Sequence, residues 1–203
     1  MITLYIGKSA AGKDSLAKLA ARNGKQLLVS YTTRPMRSGE VDGVDYHFVT
    51  REKFDKLFNE GLIVEKREYE TCVNNVSDIW YYGSPKIRNN GEYVGVVTPA
   101  GAESLIDIYG KDNIYVIYVV ADDAVRTARA KKRAGCSEEE WERDIKPEWE
   151  RRLEADASDF SEANIKQLEH KLGHGVERLE NNEELSELGK PEKKFFDFLK
   201  RRG

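Results

Sequence analysis

The stretch Gly7-Lys8-Ser9-Ala10-Ala11-Gly12-Lys13-Asp14-Ser15 limits this chain more than any other. It follows Ile2-Thr3-Leu4-Tyr5-Ile6, an apolar run that reads as a buried strand, and precedes Leu16-Ala17-Lys18-Leu19-Ala20, whose spacing reads as a helix. Strand, glycine-bounded loop and helix form the setting of a phosphate-binding loop. The glycines let the backbone curl so that several N–H groups face one hollow, and the helix aims its positive end at the same place. Gly7, Ala10, Ala11, Gly12, Lys13, Asp14 and Ser15 are the candidate cradle, with Lys13 reaching the outer phosphates. The pattern asks for a hydroxyl directly after the lysine, to hold Mg²⁺. Asp14 stands there and the hydroxyl comes one residue later, so the metal role falls to Ser15, with Asp14 as a helper. The bland alternative is a strand-to-helix turn carrying a surface lysine.

Composition narrows the partners. Among 203 residues, 33 basic and 36 acidic side chains leave a net charge of -3, which argues against a general nucleic-acid or membrane-surface binder. An anion site must then be a local cluster of cations. No apolar run approaches the ~20 residues of a membrane span, and the start of the chain runs straight into the first strand, which predicts no signal peptide. Cys72 and Cys136 are far apart without metal-ligand spacing. They read as free thiols of a reducing, cytoplasmic compartment.

Along the chain, residues 25–30 read as a second strand. Residues 31–48 carry Pro35, Gly39 and Asp42-Gly43 and read as loop and turn. Arg34 and Arg37, three apart in this loop, suit one anion, because a planar guanidinium matches phosphate oxygens in pairs. Thr32, Thr33 and Tyr46 would complete the cage; an ordinary solvated surface is the alternative. Thr50 caps a helix over 51–59, closed at Gly61. Residues 62–65 read as a strand bearing Glu65, followed by a polar loop around Asn74-Asn75 and by Trp80-Tyr81-Tyr82-Gly83-Ser84. Pro85 is expected to open a helix. Residues 92–99 read as a strand stopped by proline, 100–109 as a helix, and 113–120 as the strongest strand, apolar enough to sit centrally. Strands alternating with helices predict an α/β fold with a parallel sheet flanked by helices.

From Asp122 the chain reads as helical and rich in cations, with Arg129 and Arg133 on one face. Residues 134–136 break that helix, and Ser137 with Glu140 resembles a capping box for the next, which bears Arg143, Arg151 and Arg152. For Arg151 and Arg152 a solvated, ion-paired helix face is the more ordinary explanation. His170 and His174 are four apart, but Gly173 lies between them and no third ligand is evident, which disfavours a zinc site. Residues 175–179 read as a last strand and 191–202 as an amphipathic helix.

With the phosphate loop and the run Ser30-Tyr31-Thr32-Thr33-Arg34-Pro35-Met36-Arg37-Ser38-Gly39-Glu40-Val41-Asp42-Gly43-Val44-Asp45-Tyr46-His47-Phe48 in view, the chain resembles the guanylate kinase family. The second run is the more specific, and the likeness continues through Glu65, Tyr82-Gly83-Ser84 and the arginines of 129–143. The resemblance implies a P-loop core (1–31, 85–125, 174–203), an acceptor-binding insert (32–84) and a helical lid (126–173). It implies that Arg34, Arg37, Tyr46 and Tyr82 hold the acceptor monophosphate, that Ser30, Glu65 and Ser84 read guanine, and that Arg129, Arg133 and Arg143 close on the triphosphate. Asn181 would lie near the adenine side. Three features depart from the family. Val96-Val97-Thr98-Pro99 carries no carboxylate on the middle strand. The hydroxyl after Lys13 is displaced, as adenylate kinases also have it. The segments 66–81 and 158–173 are longer than usual.

The resemblance thus implies a nucleoside monophosphate kinase moving the γ-phosphoryl of ATP, with Mg²⁺, to GMP or dGMP. Its partners would be small-molecule nucleotides, without nucleic acid or membrane, in a monomer or homodimer. A guanylate-kinase-like module without turnover, favoured by the missing carboxylates, and a kinase for another nucleoside monophosphate are the rival readings.

Overall fold

The computed structural model describes residues 1–37, 39–73 and 76–182, with 72, 73, 76 and 77 as backbone only. In chain order the elements are β1 (Ile2–Ile6), α1 (Lys13–Arg22), β2 (Gln26–Leu27), β3 (Tyr31–Thr32), β4 (His47–Phe48), α2 (Arg51–Asn59), β5 (Ile63–Val73) and β6 (Val76–Pro85). Then come β7 (Tyr93–Val96), α3 (Pro99–Tyr109), β8 (Ile114–Val120), α4 (Asp123–Ala134) and α5 (Glu138–Glu140). A π-helical turn, Trp141–Ile145, runs directly into α6 (Lys146–Asp159), followed by α7 (Glu162–Leu172) and β9 (Glu177–Glu180).

Five strands form a wholly parallel sheet in the order β2-β7-β1-β8-β9. β1 holds the centre and is buried along its length, whereas β8, read as central, lies one place away. Side chains alternate across the sheet. Leu4 and Ile6 of β1 pack with Leu105 and Ile106 of α3 and with Ile165, Leu168 and Leu172 of α7. On the other face Tyr5 packs with Leu16, Ala17 and Ala20 of α1. Burying each large aliphatic side chain contributes about 1.5–3 kcal/mol, so both helix layers are held firmly to the sheet. Chain order reverses at β1, and the loop that follows it opens at the carboxyl ends of the strands, where such sheets bind ligands.

A second, four-stranded sheet has the order β4-β3-β6-β5. It corrects several expectations. The polar loop read around Asn74-Asn75 lies outside the described residues, and on either side of it β5 and β6 pair as one long antiparallel hairpin, from Ile63↔Pro85 to Val73↔Val76. The period-2 signal is carried there by Arg67, Tyr69 and Thr71 rather than by aliphatic residues, which hides it from a hydrophobicity reading. The loop of 31–48 is flanked by β3 and β4, which pair in parallel. Pro85 does not open a helix; it ends β6, and the Lys86 N–H still donates to the Leu62 carbonyl at 2.8 Å, extending the ladder. Pro99 does start a helix, with the Thr98 hydroxyl accepting from the Gly101 N–H.

The caps at Thr50 and Ser137 form as read. α7 stops at Leu172, with Gly173 left-handed, so His170 and His174 do not share a helix. The expected helix of 191–202 lies outside the described residues. No described helix is long and apolar enough to cross a membrane.

Gly83 is the tightest point of the second sheet. A Cβ there would stand 2.4 Å from Ile63 Cγ2, 2.6 Å from the Glu65 carbonyl oxygen and 2.9 Å from Phe54 Cζ. Backbone cannot yield as a side-chain tip can, so Gly83→Ala should destabilise the protein by about 1–3 kcal/mol, read as a lower urea midpoint at unchanged slope.

Candidate active site

The phosphate loop is held in shape from several sides. Gly12 is left-handed at φ 99°, and a Cβ there would meet Asn181 Nδ2 at 2.3 Å. That amide donates to the Ala11 carbonyl at 2.8 Å. Ala10 has φ 59° and is the one non-glycine with positive φ among the described residues. Such strain persists where its surroundings over-determine it, and it is common at functional loops. Lys13 Nζ donates to the Lys8 carbonyl at 3.0 Å. Burial lowers the Lys13 pKa, against the pull of Asp14 and Asp156, while Arg126 and Arg133 push the same way as burial.

The other half of the loop rests on a buried ion pair. Arg126 is 1% exposed and Asp156 8% exposed. Arg126 Nη1 donates to Asp156 Oδ2 at 2.9 Å and to the Ser9 carbonyl at 3.1 Å. Asp156 in turn accepts from the Ser9 N–H at 2.8 Å and from its hydroxyl at 3.1 Å. α4, α6 and the loop are thus joined through two side chains.

A cavity of about 470 Å³ opens beside this loop. Gly7, Ala10, Lys13 and Asp14 line one side, and Arg34, Arg37, Tyr46 and Tyr82 line another. Arg133 and Arg152 reach it from the helices, Arg67 from β5, and Val96, Val97 and Thr98 from the end of β7.

Arg34 is 3% exposed and is gripped bidentately by Glu40, at 3.0 and 2.8 Å. It lies over the rings of Tyr46 and Phe48, 5.4 and 5.5 Å from their centroids. Burial works against its charge, yet the hydrogen bonds it donates to Glu40, with the nearby negative charge, outweigh that and raise the pKa. Among the described residues, no carboxylate grips the Arg37 guanidinium in this way. Desolvation within the cavity mouth, then the charges of Arg152 and Arg34, bring its pKa down to about 10. Arg34, Arg37 and Arg152 thus line the same cavity.

Behind them, the register shift between Ile63 and Glu65 re-aims Glu65 towards Ser84. The Ser84 hydroxyl donates to Glu65 Oε1 at 2.8 Å, and Arg67 Nε donates to Oε2 at 3.3 Å. Arg67 Nη1 also donates to Thr98 Oγ1 at 3.0 Å, tying the second sheet to the start of α3. Asp159, at the end of α6, lines the cavity near Arg67; desolvation raises its pKa against the pull of that arginine.

Several residues read from sequence lie apart from the lining. Ser15 is exposed and outside it, while Asp14 is within it, because successive residues of a helix start differ by about 100° in direction. Ser30 contributes its carbonyl, accepting from the His47 N–H at 2.9 Å. Ala11 and Gly12 shape the loop, Asn181 braces it, and Arg129 reaches the carbonyls of Ala10 and Ala11 at 3.5 and 3.4 Å. Glu65 and Ser84 form a buried pair one layer behind.

Arg143 is held elsewhere: its side chain is 70% exposed and pairs with Asp144. Trp141 buries inward against Ala130 and Trp149, so a side chain two residues on faces solvent. Arg152 stands at the cavity instead. Arg67, Arg152, Asp156 and Glu40 were not singled out for the site. The i,i+4 spacing of Arg152 and Asp156 on one helix face is the signal that could have found two of them.

Residues 3–80 match the guanylate kinase family model. The chain is 36% identical over 110 residues to the guanylate kinase of Symbiobacterium thermophilum, covering 53% of this chain and 46% of that protein. It is 51% identical over 70 residues to that of Pseudomonas fluorescens strain Pf0-1, covering 32% and 34%. Over these residues the chain is similar to guanylate kinases. It spans about a third to a half of the length of the curated guanylate kinases it matches. The guanylate kinase fold reaches further: the crystal structure of guanylate kinase from Anaplasma phagocytophilum matches 99% of this chain and 84% of its own, with a TM-score of 0.57 at 20% identity. Sequence likeness to guanylate kinases is thus concentrated on the phosphate loop and the arginine loop, while the rest shares the fold.

Asp156→Asn keeps the shape of the buried pair and removes its charge. It should cost about 3 kcal/mol or more in chemical denaturation, because Arg126 would remain buried with its charge less compensated.

Proposed function

We propose that this chain is a nucleoside monophosphate kinase that moves the γ-phosphoryl of ATP to GMP or dGMP. The P-loop core would be 1–31, 85–125 and 174–203, the acceptor insert 32–84 and the lid 126–173. The observation that carries the reading is that Arg34, Arg37 and Arg152, with Tyr46 and Tyr82, line the same cavity as Lys13 and the phosphate loop. Mutually repelling cations in one cavity suit a multiply charged anion, and phosphoryl transfer needs two such anions held in line with their charge neutralised.

In this reading the loop N–H groups and Lys13 hold the outer phosphates of ATP. Arg34 is preset by Glu40, so little is spent ordering it when the acceptor phosphate arrives. Arg37 and Arg152 close the phosphate cage, and Arg133 faces the transferring group. Asp14, a hard oxygen donor lining the cavity at the loop, fits Mg²⁺ and would hold it, supplying charge neutralisation between the phosphates. Glu65, oriented by Ser84 and Arg67, accepts the N–H groups of guanine, a pattern adenine does not offer. Small-molecule nucleotides are the partners, and a reaction on them belongs in the cytoplasm.

One observation favours a second reading. Val96, Val97 and Thr98 give the cavity no carboxylate from β7, which suits a domain that binds nucleotides without turning them over. A coupled ADP-release assay across the nucleoside monophosphates, with and without Mg²⁺, decides between the two: release of ADP specifically with GMP or dGMP supports the kinase, and none with any acceptor supports the module.

Two substitutions test the assignments separately. Arg37→Ala should weaken GMP at least ~10-fold, from loss of a charge-assisted contact of about 1.5–3 kcal/mol, and leave ATP affinity within about twofold. Equal losses for both nucleotides, measured by calorimetry, would place the acceptor phosphate elsewhere. Glu65→Gln presents an N–H where the parent offers only acceptors, so the kcat/KM preference for GMP over AMP should fall roughly ten- to hundredfold. An unchanged ratio would remove Glu65 from base recognition.

A further inference from the structure

We propose that Arg151 is a positioning residue: it docks α6 on the β5–β6 hairpin through contacts within the chain and so delivers its neighbour Arg152 to the acceptor end of the cavity. Docking itself stands on geometry alone; the delivery of Arg152 rests on the kinase reading.

The β5–β6 hairpin and α6 meet here. Arg151 Nη1 donates to the Glu70 carbonyl at 2.6 Å, and Nη2 donates to the Tyr69 hydroxyl at 2.7 Å and to Thr71 Oγ1 at 3.3 Å. Its guanidinium also stacks over the Tyr69 ring, 4.5 Å from the centroid. Tyr69 is backed in turn by Trp80, at 6.3 Å between centroids, whose indole N–H donates to Asp78 at 3.0 Å. Among the described residues, the partners of Arg151 on the hairpin come from 69–71.

The link to Arg152 is a shared carboxylate. Glu148 accepts from Arg151 Nε at 2.9 Å and Nη2 at 3.0 Å, and its Oε1 also accepts from Arg152 Nε at 2.9 Å. Adjacent helix positions point about 100° apart, so one guanidinium meets the hairpin while the next turns into the cavity beside Arg37. The far side of the same helix is fixed by Asp156 on Ser9 and Arg126. α6 therefore spans from the phosphate loop to the acceptor arm, with one anchor at each. Closure over the cavity is built into the chain by the hairpin and does not wait for the phosphates to draw the helix in.

Hydrogen exchange of the full chain without nucleotide tests the docking. In Arg151→Ala, amides of 146–159 and of the hairpin should exchange roughly tenfold faster, with α1 and β1 unchanged; Tyr69→Phe, which keeps the ring and loses one bond, should give a smaller rise in the same places. Exchange of α6 equal to the parent in both variants would overturn the docking, as would a rise spread equally to α1 and β1. This readout needs no turnover, so it is separable from the kinase reading. For the delivery, Arg151→Ala should lower kcat/KM for GMP about tenfold in the parent but less than about twofold when added to Arg152→Ala. Losses that multiply would overturn the link between the two arginines.

Discussion

Cations that line one cavity repel each other, and each must be held by something that does not fill the cavity. This constraint organises the molecule. Arg34 is gripped from behind by Glu40, Arg67 by Glu65, and Arg152 by Glu148. Arg126, buried behind the phosphate loop, is gripped by Asp156 and Asp123. In every case the carboxylate lies beside or behind the guanidinium, on the same element or a neighbouring one, and fixes its direction. Buried guanidiniums would otherwise be costly, and loose ones would have to be ordered at each encounter with a ligand. Arg37, whose guanidinium has no carboxylate grip among the described residues, has its pKa lowered by desolvation and by the charges of Arg152 and Arg34.

The parallel sheet supplies the platform. β1 is buried on both faces, so its position is over-determined, and the loop leaving it inherits that rigidity. From this platform two structures reach across the cavity: the β5–β6 hairpin and α6. Thr98 ties the hairpin to α3 through Arg67, and Arg151 ties it to α6. The match to the guanylate kinase family model ends at residue 80, within the hairpin. The likeness in fold runs on through α7 and β9. Chemistry at the phosphate loop and the arginine loop needs particular side chains, whereas a helix that covers a cavity needs only an anchor at each end. Here those anchors are Asp156 and Arg151.

Much of the core could be read from residues. The apolar runs of β1 and β8 announce strands buried on both faces, and Thr50 with Ser137 announce helix starts, because these signals act within a few residues of themselves. The hairpin of 66–81 was not legible, since charged and aromatic residues carry its alternation. Arg152 was read as a solvated face and Arg143 as a cavity residue, and the structure exchanges them. Local sequence counts charges on a helix but does not say which face turns inward; burial of Trp141 and Trp149 decides that.

By itself the sequence determined the phosphate loop, the arginine loop, the α/β order and the likeness to guanylate kinases. Those are contiguous stretches whose backbone geometry and chemistry are written in neighbouring residues. Only the tertiary structure decided which side chains share the cavity, that Asp14 rather than Ser15 faces it, and that Asp156 holds Ser9 from 147 positions away in the chain. Pairings of that kind are set by how packed layers rotate each helix about its axis, and that rotation is a property of the whole core.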